Sequence, residues 1–177
     1  MKNSNAFKVA IGGLISAFSL TLLLLTGVFP FGTYAFPVIS GVLLISIFLE
    51  FGFRWAMLVY GVISILSLFF VADKEAALFF ILIFGYYPVV KSYIEKIKSK
   101  AVQYIIKLGI FNLGAVAVYF IMLFIFGIDA DAFVIFGVNI PPVFLLVGNV
   151  VFIIYDFAVT VAAIQYIKKY RNILFKG

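Results

Sequence analysis

Along this chain, long apolar runs alternate with short polar or basic connections. A helix needs about 20 apolar residues to cross the hydrocarbon core of a bilayer. Six runs meet or approach that length. They predict transmembrane helices over about 9–29, 34–49, 55–71, 76–90, 102–126 and 142–164. The fold class this predicts is all-α: a polytopic membrane protein, one domain over residues 1–177, built as a bundle of six transmembrane helices. The first run follows Lys2 and Lys8, as a signal peptide would. It is longer than a usual signal core and no clear Ala-x-Ala site follows it, so it reads as a span. The fourth run is short and interrupted by Gly85 and Pro88. Its continuation from Lys91 to Lys100 is amphipathic, which predicts a segment lying at the interface or projecting from it.

Composition agrees with this pattern. Of 177 residues, 66% are hydrophobic and 11% charged, against roughly half and a quarter in soluble domains. No soluble fold of this size has enough interior to hide that much apolar surface. The chain holds no Cys and no His. Thiolate chemistry, disulfides and the commonest metal ligand and general base are thereby removed. With no nucleotide loop, zinc-protease motif or nucleophile elbow either, the expectation is a protein that is not an enzyme, with no cofactor and no metal.

The net charge of +6 lies at the ends of apolar runs, so it reads as membrane topology and not as a nucleic-acid surface. Alternate connections are basic. Twelve of the thirteen Lys and Arg residues fall on one side, leaving Lys74 alone on the other. The positive-inside rule then predicts that both termini are cytoplasmic.

Few polar residues lie inside the runs. Asp156 sits near the middle of the sixth, where a carboxylate costs about 3 kcal/mol. It reads either as a structural hydrogen bond between helices or as a contact to a substrate or ion. Asn149 lies seven residues earlier on the same face, and Asn112 and Tyr119 are likewise seven apart in run five. Counting depth from the cytoplasmic ends sets Asn112 opposite Asp156 and Tyr119 opposite Asn149. Those four residues are the candidate substrate-binding set. Lys107, nearer the cytoplasmic end, is expected to snorkel to the interface.

Loop charges Asp73, Lys74, Glu75, Asp129 and Asp131 read as solvated. The connection holding Phe133, Ile135 and Phe136 reads as a lid. Phe29, Phe31, Tyr34 and Phe36 form either an interfacial aromatic belt or the wall of an outward-facing pocket. Run one carries two small-x-x-x-small pairs, Gly12/Ser16 and Gly13/Ala17, which allow close helix approach within the bundle or with a partner.

In length, six helices, cytoplasmic termini, basic start and small-residue stripe, the whole chain resembles the S components of energy-coupling factor transporters. The resemblance is architectural. That family's contact motif on helix one is Ala-x-x-x-Ala, and here Gly13 stands in the first place before Ala17. The resemblance implies a bacterial or archaeal plasma-membrane subunit in the lipid bilayer. Such a subunit captures a small molecule, a vitamin or related micronutrient, while a transmembrane coupling subunit and ATPases supply energy. Gly13 and Ala17 would then form the partner interface. Two other readings remain open: a structural or assembly membrane protein without a ligand, and a small autonomous permease.

Overall fold

A computed structural model describes residues 4–29, 31–129, 131, 134–135 and 138–170. It is an all-α bundle with six helices long and apolar enough to span a membrane. Span one is α1 (Asn5–Leu24), extended by a 3₁₀ turn over Leu25–Gly27. Spans two and three are α2 (Gly32–Phe51) and α3 (Phe53–Phe70). Gly52 joins them with φ 82°, a left-handed conformation that lets the chain reverse within one residue. Span four is composite: α4 (Lys74–Phe79), a π-helical turn (Phe80–Phe84) and α5 (Tyr87–Ile94). Span five is α6 (Lys100–Phe124) and span six is α7 (Ile140–Gln165), continued by a π turn over Tyr166–Tyr170. Before α7, β1 (Val134–Ile135) and β2 (Val138–Asn139) pair antiparallel in a two-residue hairpin.

The lid reading falls on this connection. Phe133 and Phe136 lie outside the described residues, and Ile135 is described only as hairpin backbone. Lys2, Arg171 and Lys176, three of the twelve basic residues assigned to one side, also lie outside them.

Span four is the centre of the bundle. Of its most apolar window 67% is buried, against at most 33% in any other span. That is why its sequence is apolar all round. Phe80, Ala77 and Val89 join a core with Leu44, Ile47, Val59 and Ile63 from α2 and α3. Phe79, Ile83, Phe84 and Tyr87 join a second core with Phe111, Val118, Phe152 and Tyr155 from α6 and α7. The outer surface is apolar too: Leu14, Phe18, Phe69, Leu113, Phe124, Leu146 and Phe157 are all exposed. Residues of this kind need lipid around them.

Gly85 closes the π turn, its N–H donating to Phe80 O at 2.7 Å. A widened turn disturbs the carbonyl ladder, and lipid offers no replacement donors. Two neighbours supply them. Tyr60 donates to Ile81 O at 2.7 Å and Tyr155 to Phe84 O at 3.1 Å. Pro88 sits in the first turn of α5, where a missing N–H costs little.

Span four runs on to Ile94, so the interfacial reading of Lys91–Lys100 is corrected in its first half. Lys91 is buried within the bundle. The two small-residue pairs on α1 also separate. Gly12 and Ser16 face inward, and a Cβ on Gly12 would lie 3.0 Å from Val59 Cγ2. Gly13 has nothing within 4 Å of such a Cβ, and Ala17 is exposed beside it. The first pair packs the bundle, while the second faces away from it.

Candidate functional site

Two polar regions occupy opposite ends of the bundle. The first lies where span four ends. Lys91 on α5, Lys107 on α6 and Asp156 on α7 meet there, with Glu95 just beyond α5. Lys107 Nζ is 2.9 Å from Asp156 Oδ2 and 2.9 Å from Glu95 Oε1. Lys91 Nζ is 2.9 Å from Glu95 Oε1 and also pairs with Asp156 Oδ1. Tyr87 donates to Asp156 Oδ1 at 2.6 Å. Two ammonium and two carboxylate groups thus balance in charge. Burial opposes ionisation of Glu95, but hydrogen bonds from Lys91 and Lys107 outweigh it and hold its carboxyl below its ordinary range.

Asn112 and Asn149 sit one step further into the bilayer. Their side-chain amides exchange hydrogen bonds of 2.8 and 2.9 Å. Each also donates to its own helix, Asn112 to Leu108 O at 2.8 Å and Asn149 to Leu145 O at 2.6 Å. Both donor pairs are thereby used within the protein.

This arrangement corrects the rungs expected from depth counting. Asp156 meets Lys107 and Lys91, and Asn112 meets Asn149. Tyr119 pairs with neither: it reaches the level of Pro141 and Pro142, where it lines a cavity. The counting fails because the ends of α6 and α7 nearest Lys100 and Lys168 are not level, α7 continuing through Tyr166–Tyr170. The expectation that Lys107 snorkels is corrected for the same reason. Its ammonium is buried against Asp156, where a charged partner replaces water.

The second region is that cavity, about 490 Å³ in volume, at the Asp73 end of the bundle. Its walls are Tyr34 on α2, Glu75 and Phe79 on α4, Ala115 and Tyr119 on α6, and Phe144 and Leu145 on α7. Tyr34, Phe79 and Phe144 form a ring cluster, with centroids 5.4, 5.6 and 5.6 Å apart in pairs. Val116 and Phe120 line the cavity and are also exposed on the outer face of α6, so the cavity opens partly toward lipid.

The acidic residues at the rim have different roles. Asp73 caps α4 by accepting from Ala76 N at 3.0 Å, and its other oxygen accepts from Thr33 at 2.7 Å. Glu75 Oε1 accepts from Tyr34 at 3.1 Å. Lys74 turns away from both, donating to Leu68 O and Val71 O at 2.9 and 2.8 Å. The solvated reading of this connection is therefore corrected for Asp73 and Lys74, which hold local structure. Among the four aromatic residues read as belt or wall, Tyr34 lines the cavity, and Phe29, Phe31 and Tyr34 itself are all exposed.

The sequence reading took Glu75 for a solvated loop charge, and its place on the cavity wall beside Tyr34 corrects that. It missed Phe79 and Phe144, which only spacing on apolar helices marked, a spacing shared by every core residue. Among the described residues, no group of three or more acidic side chains is placed to hold a metal ion. Comparison with protein-family models, curated proteins and solved structures returns no match.

Proposed function

We propose that this chain is a membrane-embedded substrate-capture subunit for uptake of a small micronutrient, such as a vitamin or a precursor, energised by partner subunits. The cavity carries this reading. Its volume, about 490 Å³, falls in the range of small-molecule sites, and its lining of apolar walls with a few polar groups is typical of them. Charge distribution supports an orientation with both termini cytoplasmic in a bacterial or archaeal plasma membrane. The cavity then faces outward and the Lys91–Lys107–Asp156 cluster lies toward the cytoplasm. Lack of His and Cys favours binding over catalysis. The absence of a nucleotide motif in the sequence favours an external energy source, a transmembrane coupling subunit with ATPases. The outward pair Gly13 and Ala17 offers such a subunit a place for close helix contact.

A second reading, a structural or assembly protein without a ligand, draws support from Asp156, Asn112 and Asn149. All three find partners within the protein. These residues therefore belong to the scaffold in either reading, and Tyr119 alone of the four candidates lines the cavity.

Mass spectrometry of compounds retained through a gentle purification separates the two. A retained small molecule is expected in the wild-type protein. It should be lost from Ala115→Phe and from Leu145→Trp, which fill the cavity from two walls. Gly13→Leu should keep that molecule and stay within about 0.5 kcal/mol of wild-type stability, yet lose the copurifying coupling subunit. An empty wild-type protein, with both filled variants assembling normally, favours the scaffold reading.

A further inference from the structure

The lining of the cavity specifies more than size. Three aromatic rings from three different spans, Tyr34, Phe79 and Phe144, pack against one another on the wall of a space bordered by one carboxylate, Glu75. Aromatic faces carry negative potential and attract cations, best where water is excluded. When ionised, Glu75 adds a full negative charge. Among the described residues no lysine or arginine pairs with it, because Lys74 is satisfied by Leu68 O and Val71 O. Its Oε1 accepts from Tyr34, and among the described residues its Oε2 accepts no hydrogen bond. Asp73, by contrast, has both oxygens engaged. The same bundle pairs another interior carboxylate, Asp156, with two lysines. An anion entering the cavity would meet only like charge. A fully apolar guest would leave the carboxylate desolvated with Tyr34 as its one hydrogen-bond donor among the described residues, which is costly.

We propose that the cavity selects organic cations: molecules with an apolar or aromatic body packed on Tyr34, Phe79 and Phe144 and one cationic nitrogen directed at Glu75. This rests on the capture reading and names its ligand class. The shared chemistry has two sources, a free organic cation from the medium or the quaternary ammonium headgroup of a lipid entering past Val116 and Phe120.

The test uses three compounds of one shape on the full chain in phosphatidylglycerol nanodiscs, with empty nanodiscs as background. They are meta-hydroxyphenyl-trimethylammonium, its neutral isostere meta-tert-butylphenol, and meta-hydroxybenzenesulfonate. Cation–aromatic attraction in a desolvated site corresponds to roughly tenfold to thirtyfold in affinity. The cation should bind tighter than the neutral compound by that factor, and the sulfonate should not bind. Glu75→Gln should cut the preference several-fold, leaving the part due to the rings, while keeping the neutral compound bound. If that variant does not fold, Phe144→Leu serves instead, and the cation preference should again fall several-fold. Equal or tighter binding of the neutral compound or the sulfonate would overturn cation selection and leave the capture reading standing. So would a preference undiminished in Glu75→Gln or, where that variant does not fold, in Phe144→Leu. If none of the three binds, both fall. Repeating the titration in phosphatidylcholine nanodiscs distinguishes the sources: unchanged affinity identifies a free cation, and loss of binding identifies the choline headgroup as occupant.

Discussion

Asp156→Ala should destabilise the folded protein by about 3–5 kcal/mol, the usual cost of removing one partner from a buried ion pair. The carboxylate holds ammonium groups from two other spans, Lys91 on α5 and Lys107 on α6. Both lysine side chains are at most 5% exposed, so neither reaches water when the carboxylate is lost. Glu95 stays within 2.9 Å of each and compensates only in part, since one carboxylate then faces two cations. The loss should be smaller in Asp156→Ala/Lys107→Met, which removes one charge of each sign. Reversible unfolding in detergent of the wild type, the two single variants and the double variant gives the coupling energy directly. Stability unchanged in Asp156→Ala would mean that the three spans are not held at this point.

Gly41→Leu should be nearly as damaging, about 3 kcal/mol, at the upper end of what overpacking costs. A Cβ at Gly41 would lie 2.2 Å from Phe84 O and 2.8 Å from Phe84 C. Those are backbone atoms of the π turn and cannot rotate aside. Tyr155 is also near, its hydroxyl 3.1 Å from the same Cβ position and bound to Phe84 O. A larger residue must therefore push α2 off span four and break that hydrogen bond at once. Gly13→Leu is the control, since a Cβ there meets nothing within 4 Å. Comparable unfolding curves for the two variants would show that α2 does not approach span four this closely.

Much of the fold was legible because a bilayer imposes a length on every crossing. The number of spans and the all-α class follow from apolar run length alone. Span four was the least legible. Its helical path is interrupted by a π turn, and the turn is supported by Tyr60 and Tyr155, residues that are distant in sequence. No local pattern announces such support. The register between α6 and α7 was within reach of the sequence, but by charge and not by depth. Lys107 is the one charged residue within 102–126, and Asp156 the one within 142–164. Pairing the two sets Asn112 against Asn149, as observed. Counting depth from uncertain helix ends shifted that register by one rung. The cavity was the hardest part to read. It arises where four spans face each other near Tyr119, and its aromatic walls look the same in sequence as packed core.

An outward-facing cavity above a cytoplasmic ion-pair cluster is the central claim, and single-cysteine accessibility tests it most directly. The chain has no cysteine of its own, so each introduced thiol reports one position. A membrane-impermeant maleimide applied to intact cells should label Tyr119→Cys in the cavity wall. It should label Lys98→Cys, beyond the end of α5, only after the membrane is opened. Labelling of Lys98→Cys from outside, with Tyr119→Cys reached only from within, would contradict the orientation and with it the capture of a substrate from outside.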